Sequence, residues 1–346
     1  MKYLLSILFL VFVFNSMDAQ KLDPKKEYMV SCVGFYNVEN LFDTLNSRGD
    51  NDLEFSPKGD RRWDSKLYNA KLKNLAHVID GLGTEVNPNG VALLGVAEVE
   101  NKLVLDDLVK QEALLDNNFK VVHYEGHDRR GIDVGLLYQE KYFKYISSKS
   151  IELVFEDTSY HSRDQLLVTG ELMGERVHVI VAHWPSRSGG QKRSEPRRLE
   201  AAKLGRSIVD SILVNEPDAK IIYMGDLNDD PENKSVSKVL MLGEKGKNMA
   251  ELNFFNPMLD LSRKGIGSLA WRDSWNLFDQ IVMSPALSNQ NFKTWTAYRT
   301  KVYNKPFLKS KDGKYKGYPY RSYSGGAWTG GYSDHFPVYT ILAKER

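Results

Sequence analysis

Short continuous apolar runs punctuate this chain and predict its strands. Val30–Tyr36 (VSCVGFY), Val91–Ala97 (VALLGVA), Val177–His183 and Ile221–Met224 carry too few polar positions to face water on either side, so they read as strands buried on both faces. Val121–Tyr124, Ile132–Tyr138, Leu166–Leu172, Asp279–Met283 and Val338–Leu342 add further strands. Elsewhere the apolar spacing is helical. Leu67, Leu72, Leu75, Val78, Ile79 and Leu82 line one side of Asp64–Leu82, and Gly81 and Gly83 stop that helix. Leu103–Leu115 reads as a second amphipathic helix. Glu195–Val214 reads as a third, with Leu199, Ala202, Ile208, Ile212 and Leu213 on one side. Strands outnumber helices and often follow one another. That order predicts two packed sheets with helices outside, not a strictly alternating parallel sheet. Asn233–Lys264 shows no clear period. Thr300–Trp328, rich in Lys, Tyr, Gly and Pro, reads as one long loop-like excursion.

The first residues follow another rule. Lys2 precedes an almost wholly apolar run from Tyr3 to Phe14, and Asn15, Ser16, Asp18, Ala19 and Gln20 follow. A positive start, a short apolar stretch and a small residue before a polar segment describe a secretory signal peptide over residues 1–19, cleaved near Ala19–Gln20. The run is shorter than the roughly 20 apolar residues of a spanning helix, and no second run of that length appears. The expected mature protein is soluble, in the periplasm or outside the cell. Cys32 is the only cysteine, so no intramolecular disulfide can form and the core must supply the stability. Lys+Arg number 47 against Asp+Glu 45, a net charge of +2, so polyanion binding would have to rest on local clusters.

The chemistry collects where apolar strands end. Tyr36 runs into Asn37, with Glu39 and Asn40 beyond. Val91–Ala97 runs into Glu98, Val177–Ala182 into His183, and Ile221–Gly225 into Asp226, Leu227 and Asn228. Asp279 opens one late strand, and Ser333–Asp334–His335 precedes the last. Loops at the ends of buried strands are where sites are assembled on a rigid scaffold. Carboxylates and amides without thiols suit Mg²⁺, Mn²⁺ or Ca²⁺, and histidines beside carboxylates suit proton transfer and charge stabilisation. Each feature alone is ordinary: a Gly-Asp-x-Asn turn is more often an Asx turn than a ligand. The ordered combination is not.

The motifs FYNVENLF, GVAEVEN, RGIDVGLLY, VAHWPSR, MGDLNDDP, LFDQIVMS and YSDHFPV, from Val33 to Pro337, resemble in sequence and order the endonuclease/exonuclease/phosphatase superfamily, in its secreted bacterial endonuclease-like branch. The resemblance implies an α/β (α+β) four-layered sandwich, DNase-I-like, formed by residues 20–346 as one domain. It implies that Glu98 is the principal metal ligand, with Asn37 nearby and Asp334 able to contribute. It makes His335 the general base, Asp279 the carboxylate that orients it, Asp226 and Asn228 the pair that positions the attacking water, and His183 a donor to a phosphate oxygen. The implied cofactor is Mg²⁺ or Mn²⁺, with Ca²⁺ a further option.

Among the arginines, Arg187 is the one expected to reach the substrate phosphate as a planar fork; Arg130, Arg163, Arg197 and Arg198 rank lower. Asp133 reads as a group that orients a neighbouring histidine or arginine. The substrate is expected to be a phosphate ester, DNA or RNA first, because Arg187, Lys192, Arg193, Arg197 and Arg198 cluster in one loop. In addition, Lys301, Lys305, Lys309, Lys311, Lys314 and Lys316 interleave with Tyr303, Phe307, Tyr315, Tyr318 and Tyr320. The alternatives are a phospholipid or sphingomyelin phosphodiesterase, with Tyr323, Trp328 and Tyr332 as its membrane-contacting aromatics, a sugar- or inositol-phosphate phosphatase, and a non-catalytic binding protein on the same fold. Decay to a binding protein would be expected to lose a ligand or a histidine, and the full set is present. No obligate protein partner is evident.

Overall fold

The computed structural model describes residues 22–45, 52–241, 254–289 and 291–346. The expected signal segment, residues 1–19, lies outside them. Strand β1 (Tyr28–Leu41) is followed by helix α1 (Ser65–Asp80), β2 (Leu93–Val99), α2 (Lys102–Val109), β3 (Phe119–His123), β4 (Asp133–Gln139), β5 (Phe143–Ile151), β6 (Gln165–Leu172) and β7 (Glu175–His183). Then come α3 (Gln191–Asn215), β8 (Ile221–Asp226), α4 (Met258–Arg263), β9 (Leu269–Trp271), β10 (Ser274–Asn276), β11 (Asp279–Met283), β12 (Thr296–Val302), β13 (Tyr323–Ser324), β14 (Ala327–Trp328) and β15 (Val338–Glu345).

Two mixed sheets carry the molecule: six strands in the order β12-β15-β1-β2-β4-β3, and five in the order β11-β8-β7-β6-β5. The apolar runs sort by parity into three layers. From β1, Cys32, Tyr36 and Val38 face α1 and α2, while Val33 and Phe35 face the other sheet. From β8, Ile222 and Met224 face between the sheets, while Ile221 and Tyr223 pack on α3. A strand buried on both faces cannot alternate with polar residues, which is why these runs are continuous. The layers are helix, sheet, sheet, helix. Gly95 lets the sheets approach: a Cβ there would sit 2.6 Å from Met224 Sδ.

Helix α1 follows its pattern closely. The Asp64 side chain caps it by accepting from the Lys66 and Leu67 amides, and Gly81 ends it. The expected second helix splits: α2 stops at Val109, and a 3₁₀ turn, Glu112–Asn117, completes the apolar stretch. Gln111 is extended and its side chain takes the Asp107 carbonyl, one of the orphan groups at the helix end. Helix α3 begins at Gln191, so Pro196 lies in its second turn, where it removes one backbone donor without ending the helix. Two strands of the large sheets lacked an apolar signal. β5 and β12 are edge strands, and β5 leaves most of FKYISSKSI to solvent. The Thr300–Trp328 stretch is more ordered than expected. It starts inside β12 and contains the β13–β14 hairpin, and Tyr303, Leu308 and Tyr323 are buried in the layer over α1. Within Asn233–Lys264, Ser235–Leu240 is a π-helical turn and Met258–Arg263 is α4; residues 242–253 lie outside the described residues. Among the described residues no helix is long and apolar enough to cross a membrane.

The connectivity that builds the site is simple. Within the two large sheets only two strand pairs are parallel, β1 with β2 and β7 with β8, the first bridged by α1 and the second by α3. Parallel strands point their carboxyl ends the same way, so each pair delivers two chain ends to one rim.

Candidate active site

At the rim, β1 and β2 contribute Asn37 and Glu98; β7 and β8 contribute His183 and Asp226 in direct register. Antiparallel β11 starts where β8 ends, so Asp279 pairs with Asp226 across the sheet. The Ser333–Asp334–His335 turn leads into β15 beside β1, and the Ser333 hydroxyl donates to the Asn37 carbonyl at 2.7 Å. Residues far apart in sequence are thus brought together by strand ends alone.

Four residues here hold left-handed backbone conformations without being glycine: Glu39 (φ 52°), Asn40 (φ 53°), Glu98 (φ 64°) and Asn228 (φ 50°). Such conformations each cost on the order of 1 kcal/mol or more and persist where the surroundings over-determine them. The Asn40 amide donates to Glu98 Oε2 at 3.0 Å, and the Asn228 amide to Asp226 Oδ1 at 3.0 Å. The strained turns therefore aim backbone donors at the two carboxylates.

His335 is the most constrained group. Its Nδ1 donates to Asp279 Oδ2 at 2.7 Å, and its Nε2 lies 3.9 Å from Asp226 Oδ2. Burial pulls its pKa down, but Asp279 and then Asp226 outweigh that and hold the imidazole well above its usual range. Asp226 is pushed up to about 6, chiefly by burial, with the Asp279 charge adding to it. His183 goes the other way: burial, then the Arg163 charge, drive it well below the usual histidine value. Its Nε2 lies 3.6 Å from Asp226 Oδ2 and 4.0 Å from Glu98 Oε1, and its Nδ1 has no protein partner. One histidine is held charged and the other neutral, within reach of the same carboxylate.

The residues fit a divalent cation. The Asp226 and Asp279 carboxylates come within 4.8 Å of each other beside His335, and Asp279 Oδ1 is buried without a hydrogen-bond partner, so the oxygens rather than the protonated imidazole are the donors a cation would use. Glu98 stands apart with its side chain 14 % exposed, a hard oxygen donor open to water, as a cation that keeps part of its hydration requires. Asn37 differs from the expected ligand. The Glu39 amide, which can only donate, points at Asn37 Oδ1 (3.0 Å), so its Nδ2 faces Asp226 Oδ2 (3.0 Å) and Glu98 Oε1 (3.4 Å). Asn37 serves the carboxylates as a donor. Asp334 also stands outside the compact group, its Oδ2 taken by Arg321 Nη2 at 2.9 Å.

Arg187 is not the open fork the sequence suggested. Its Nε donates to the Asn228 carbonyl (2.8 Å), its Nη2 to Asp229, Asp230 and Asn233, and its guanidinium covers the Phe278 ring; only Nη1, with contacts at 3.5 Å, is loosely held. It braces the turn that carries Asn228. Asn228 Nδ2 in turn donates to the Trp184 carbonyl at 3.0 Å. Arg163, ranked low, braces His183: its Nε donates to the His183 carbonyl at 3.1 Å, its Nη2 to the Trp184 carbonyl, and its Nη1 to Asp128 at 2.9 Å. Asp133 faces the buried His123, with Nε2 at 3.6 Å.

Glu39 was noted beyond Asn37 but given no role, and Lys71 passed unnoticed in the sequence. Both are buried beside the site, and Lys71 sits four residues from Leu67 and Leu75 on the apolar face of α1. A lysine in that stripe was the available signal.

Two packed mixed sheets flanked by helices, with acids, amides and imidazoles at the shared rim, define a DNase-I-like α/β scaffold of the phosphoesterase class. The chain belongs to the endonuclease/exonuclease/phosphatase family, whose model matches residues 32–344. Similar solved structures include an endonuclease/exonuclease/phosphatase family protein from Bacteroides thetaiotaomicron (16 % identity, 92 % of this chain and 98 % of that one, TM-score 0.53). Others are D. rerio TDP2 complexed with a single-strand DNA product (17 %, 90 % and 98 %, TM-score 0.52) and a mannosyl-6-phosphatase of Bacteroides thetaiotaomicron (16 %, 90 % and 99 %, TM-score 0.52). At these identities the likeness is one of fold. No curated protein sequence matches the chain.

Proposed function

We propose that the chain is an exported, divalent-metal-dependent hydrolase of phosphate esters. The observation that carries this reading is the convergence of Glu98, His183, Asp226, Asp279 and His335 at one rim, where burial favours neutral His183 and the Asp279 and Asp226 charges favour protonated His335. Export rests on the pattern of residues 1–19.

A bound Mg²⁺ or Mn²⁺, with Glu98 as its open carboxylate and the Asp226 group beside it, supplies Lewis-acid stabilisation of the phosphoryl and leaving oxygens. The chain's own residues do the rest. Asp226, whose carboxyl is pushed up to about 6, takes the proton of the attacking water, with Asn228 locking its other oxygen. The new bond joins the water oxygen to phosphorus, the bond to the leaving alcohol breaks, and the departing oxygen takes its proton from solvent. His335, kept charged by Asp279, stabilises the negative charge gathering on the phosphoryl oxygens, and neutral His183 donates a hydrogen bond there. The family resemblance puts the base at His335; the Asp279 and Asp226 charges favour its protonated form, so this reading gives the water's proton to Asp226 instead.

The substrate reading favours a compact phosphate ester over a long strand. Part of each basic cluster offered for nucleic acid is engaged inside the protein, while Lys192, Arg193, Lys305, Lys311, Lys314 and Lys316 face solvent. Arg198 is fully buried against Asp229 (2.8 Å), Arg197 covers the Tyr160 ring at 3.6 Å, Lys301 pairs with Glu85, and Tyr303 and Tyr323 are core residues. A nuclease is the second reading, favoured by Trp271, 65 % exposed at the β9–β10 hairpin, where a base could stack. The TDP2 and mannosyl-6-phosphatase likenesses are equal in strength and do not separate the two. Hydrolysis of bis-p-nitrophenyl phosphate, p-nitrophenyl phosphate and plasmid DNA with Mg²⁺, Mn²⁺ or EDTA tests the proposal. Turnover that survives EDTA, or none on any ester, sinks it.

A further inference from the structure

Beside the catalytic rim, between the end of β1 and the β13 strand, lies a cavity of about 70 Å³. Its walls include Glu39, Asn40, Arg61, Lys71, Ser322 and the aromatic trio Phe55, Trp63 and Tyr323, with Arg321 at the edge. It shares a wall with the catalytic rim. The Glu39 amide donates to Asn37 Oδ1 and the Asn40 amide to Glu98 Oε2, so one short piece of chain borders both spaces. The cavity therefore opens beside Glu98, next to the rim where the ester is cleaved.

The lining specifies the chemistry. Lys71 is fully buried, yet its ammonium, which has three donors, makes one hydrogen bond, to Ser322 Oγ at 2.6 Å. A buried ammonium so under-used calls for acceptor oxygens in the adjoining space. The charge is nonetheless balanced. Arg61 pairs with Glu54, and Arg321 lies 3.5 Å from Glu39 and 2.9 Å from Asp334, so three cations face three carboxylates. A second phosphate would upset that balance; a neutral group would not. Trp63 and Tyr323 form apolar walls, and the Arg61 guanidinium stands over Tyr323 at 5.0 Å and Phe55 at 5.8 Å. The space is small: at about 70 Å³ it is under half the roughly 150 Å³ of an engineered cavity that holds benzene, so it suits a small polar group better than a nucleobase. A hydroxymethyl group or a pair of neighbouring hydroxyls fits, accepting from Lys71 and donating to Glu39 or Asn40.

We propose that this cavity is the leaving-group subsite, and that it seats the hydroxyl-bearing edge of a polyol or sugar whose phosphate is cleaved at the rim. The inference rests on the phosphoesterase reading and names the class of alcohol that leaves.

The test compares kcat/KM for a hexose 6-phosphate with that for p-nitrophenyl phosphate, using the Mg²⁺- or Mn²⁺-loaded full mature protein. The wild type is expected to favour the hexose phosphate. Arg61→Met, at a half-buried position, is expected to lower the ratio of the two values at least fivefold, and Lys71→Met at least tenfold. Thermal melts report whether the Lys71→Met protein is folded, and Arg61→Met keeps the test decisive if it is not. An unchanged ratio in a folded variant overturns the subsite while metal-dependent hydrolysis stands. So does an equal fall on both substrates, or a wild type that cleaves plasmid DNA in preference to the hexose phosphate. No turnover of any ester overturns the phosphoesterase reading and the subsite with it.

Discussion

The two parallel strand pairs make the same move and end in different surroundings. β1 and β2 bring Asn37 and Glu98 to the rim, and Glu98 stays open to water with its side chain 14 % exposed. β7 and β8 bring His183 and Asp226 to the same rim, where their side chains are 2 % and 3 % exposed. In the dry half, burial is the first cause of both perturbations, lowering His183 and raising Asp226. The comparison teaches a division of labour. A cation needs a carboxylate that water can reach, because it arrives hydrated and keeps some of that water. Proton transfer near neutral pH needs groups moved off their ordinary values, and desolvation is the strongest means of moving them.

The largest expected effect comes from breaking the dry half. Asp226→Asn and His335→Ala should each lower kcat about 10²–10⁴-fold on bis-p-nitrophenyl phosphate, with melting temperatures that still show a folded protein. Turnover near the wild-type level in either variant would remove that residue from the chemistry. Breaking the wet half should act differently. Glu98→Gln should shift the Mg²⁺ or Mn²⁺ activation curve about tenfold or more to higher concentration, as loss of a hydrogen-bonded ligand does, and recover much of kcat at saturation. An unmoved curve would place the cation elsewhere.

The pH dependence sharpens the same contrast. Activity should rise as Asp226 ionises near pH 6 and fall again once His335 loses its proton, well above the usual histidine range, giving a bell. For stability the sign follows from the direction. His335 has a folded pKa raised above its unfolded value, so its contribution is fully present below about pH 6.5 and is lost as the pH climbs through the folded pKa. His335→Gln should therefore flatten the alkaline fall of the melting temperature; an equally steep fall would assign that loss to other groups. A smaller effect is expected from Arg163→Lys, which keeps the charge but loses the fork that braces the His183 and Trp184 carbonyls. A roughly tenfold loss of kcat with KM little changed would mark it as a positioning residue. The smallest concerns Cys32, buried under the rim's sheet with its thiol pushed up to about 12 by burial. It should stay unreactive to thiol reagents in the native protein and react at once in denaturant.

How much of this was legible in the chain depends on where each residue sits. The central strands were readable because burial on both faces forces an unbroken apolar run, as in VALLGVA. The edge strands β5 and β12 were not, since a half-exposed strand can be built from Lys, Ser and Thr without penalty. The rim acids and histidines could be nominated, because each borders a recognisable run. Their partners could not. Arg187 and Arg198 look alike as sequence, yet Arg187 is shared among Asn228, Asp229, Asp230 and Asn233, and Arg198 is sealed against Asp229. The Lys- and Tyr-rich stretch read as one loop-like excursion, whereas its Tyr303 and Tyr323 are buried in the layer over α1 and Tyr315 stays exposed.

The sequence by itself determined the layering and the list of chemical groups, because hydrophobic period and strand-end residues are properties of neighbours along the chain. Only the tertiary structure decided which imidazole is charged, which amide faces a carboxylate, and that Lys71 opens on a cavity beside Glu39. Those depend on desolvation and on distances of three to four ångströms between residues tens to hundreds of positions apart, and no local pattern encodes them.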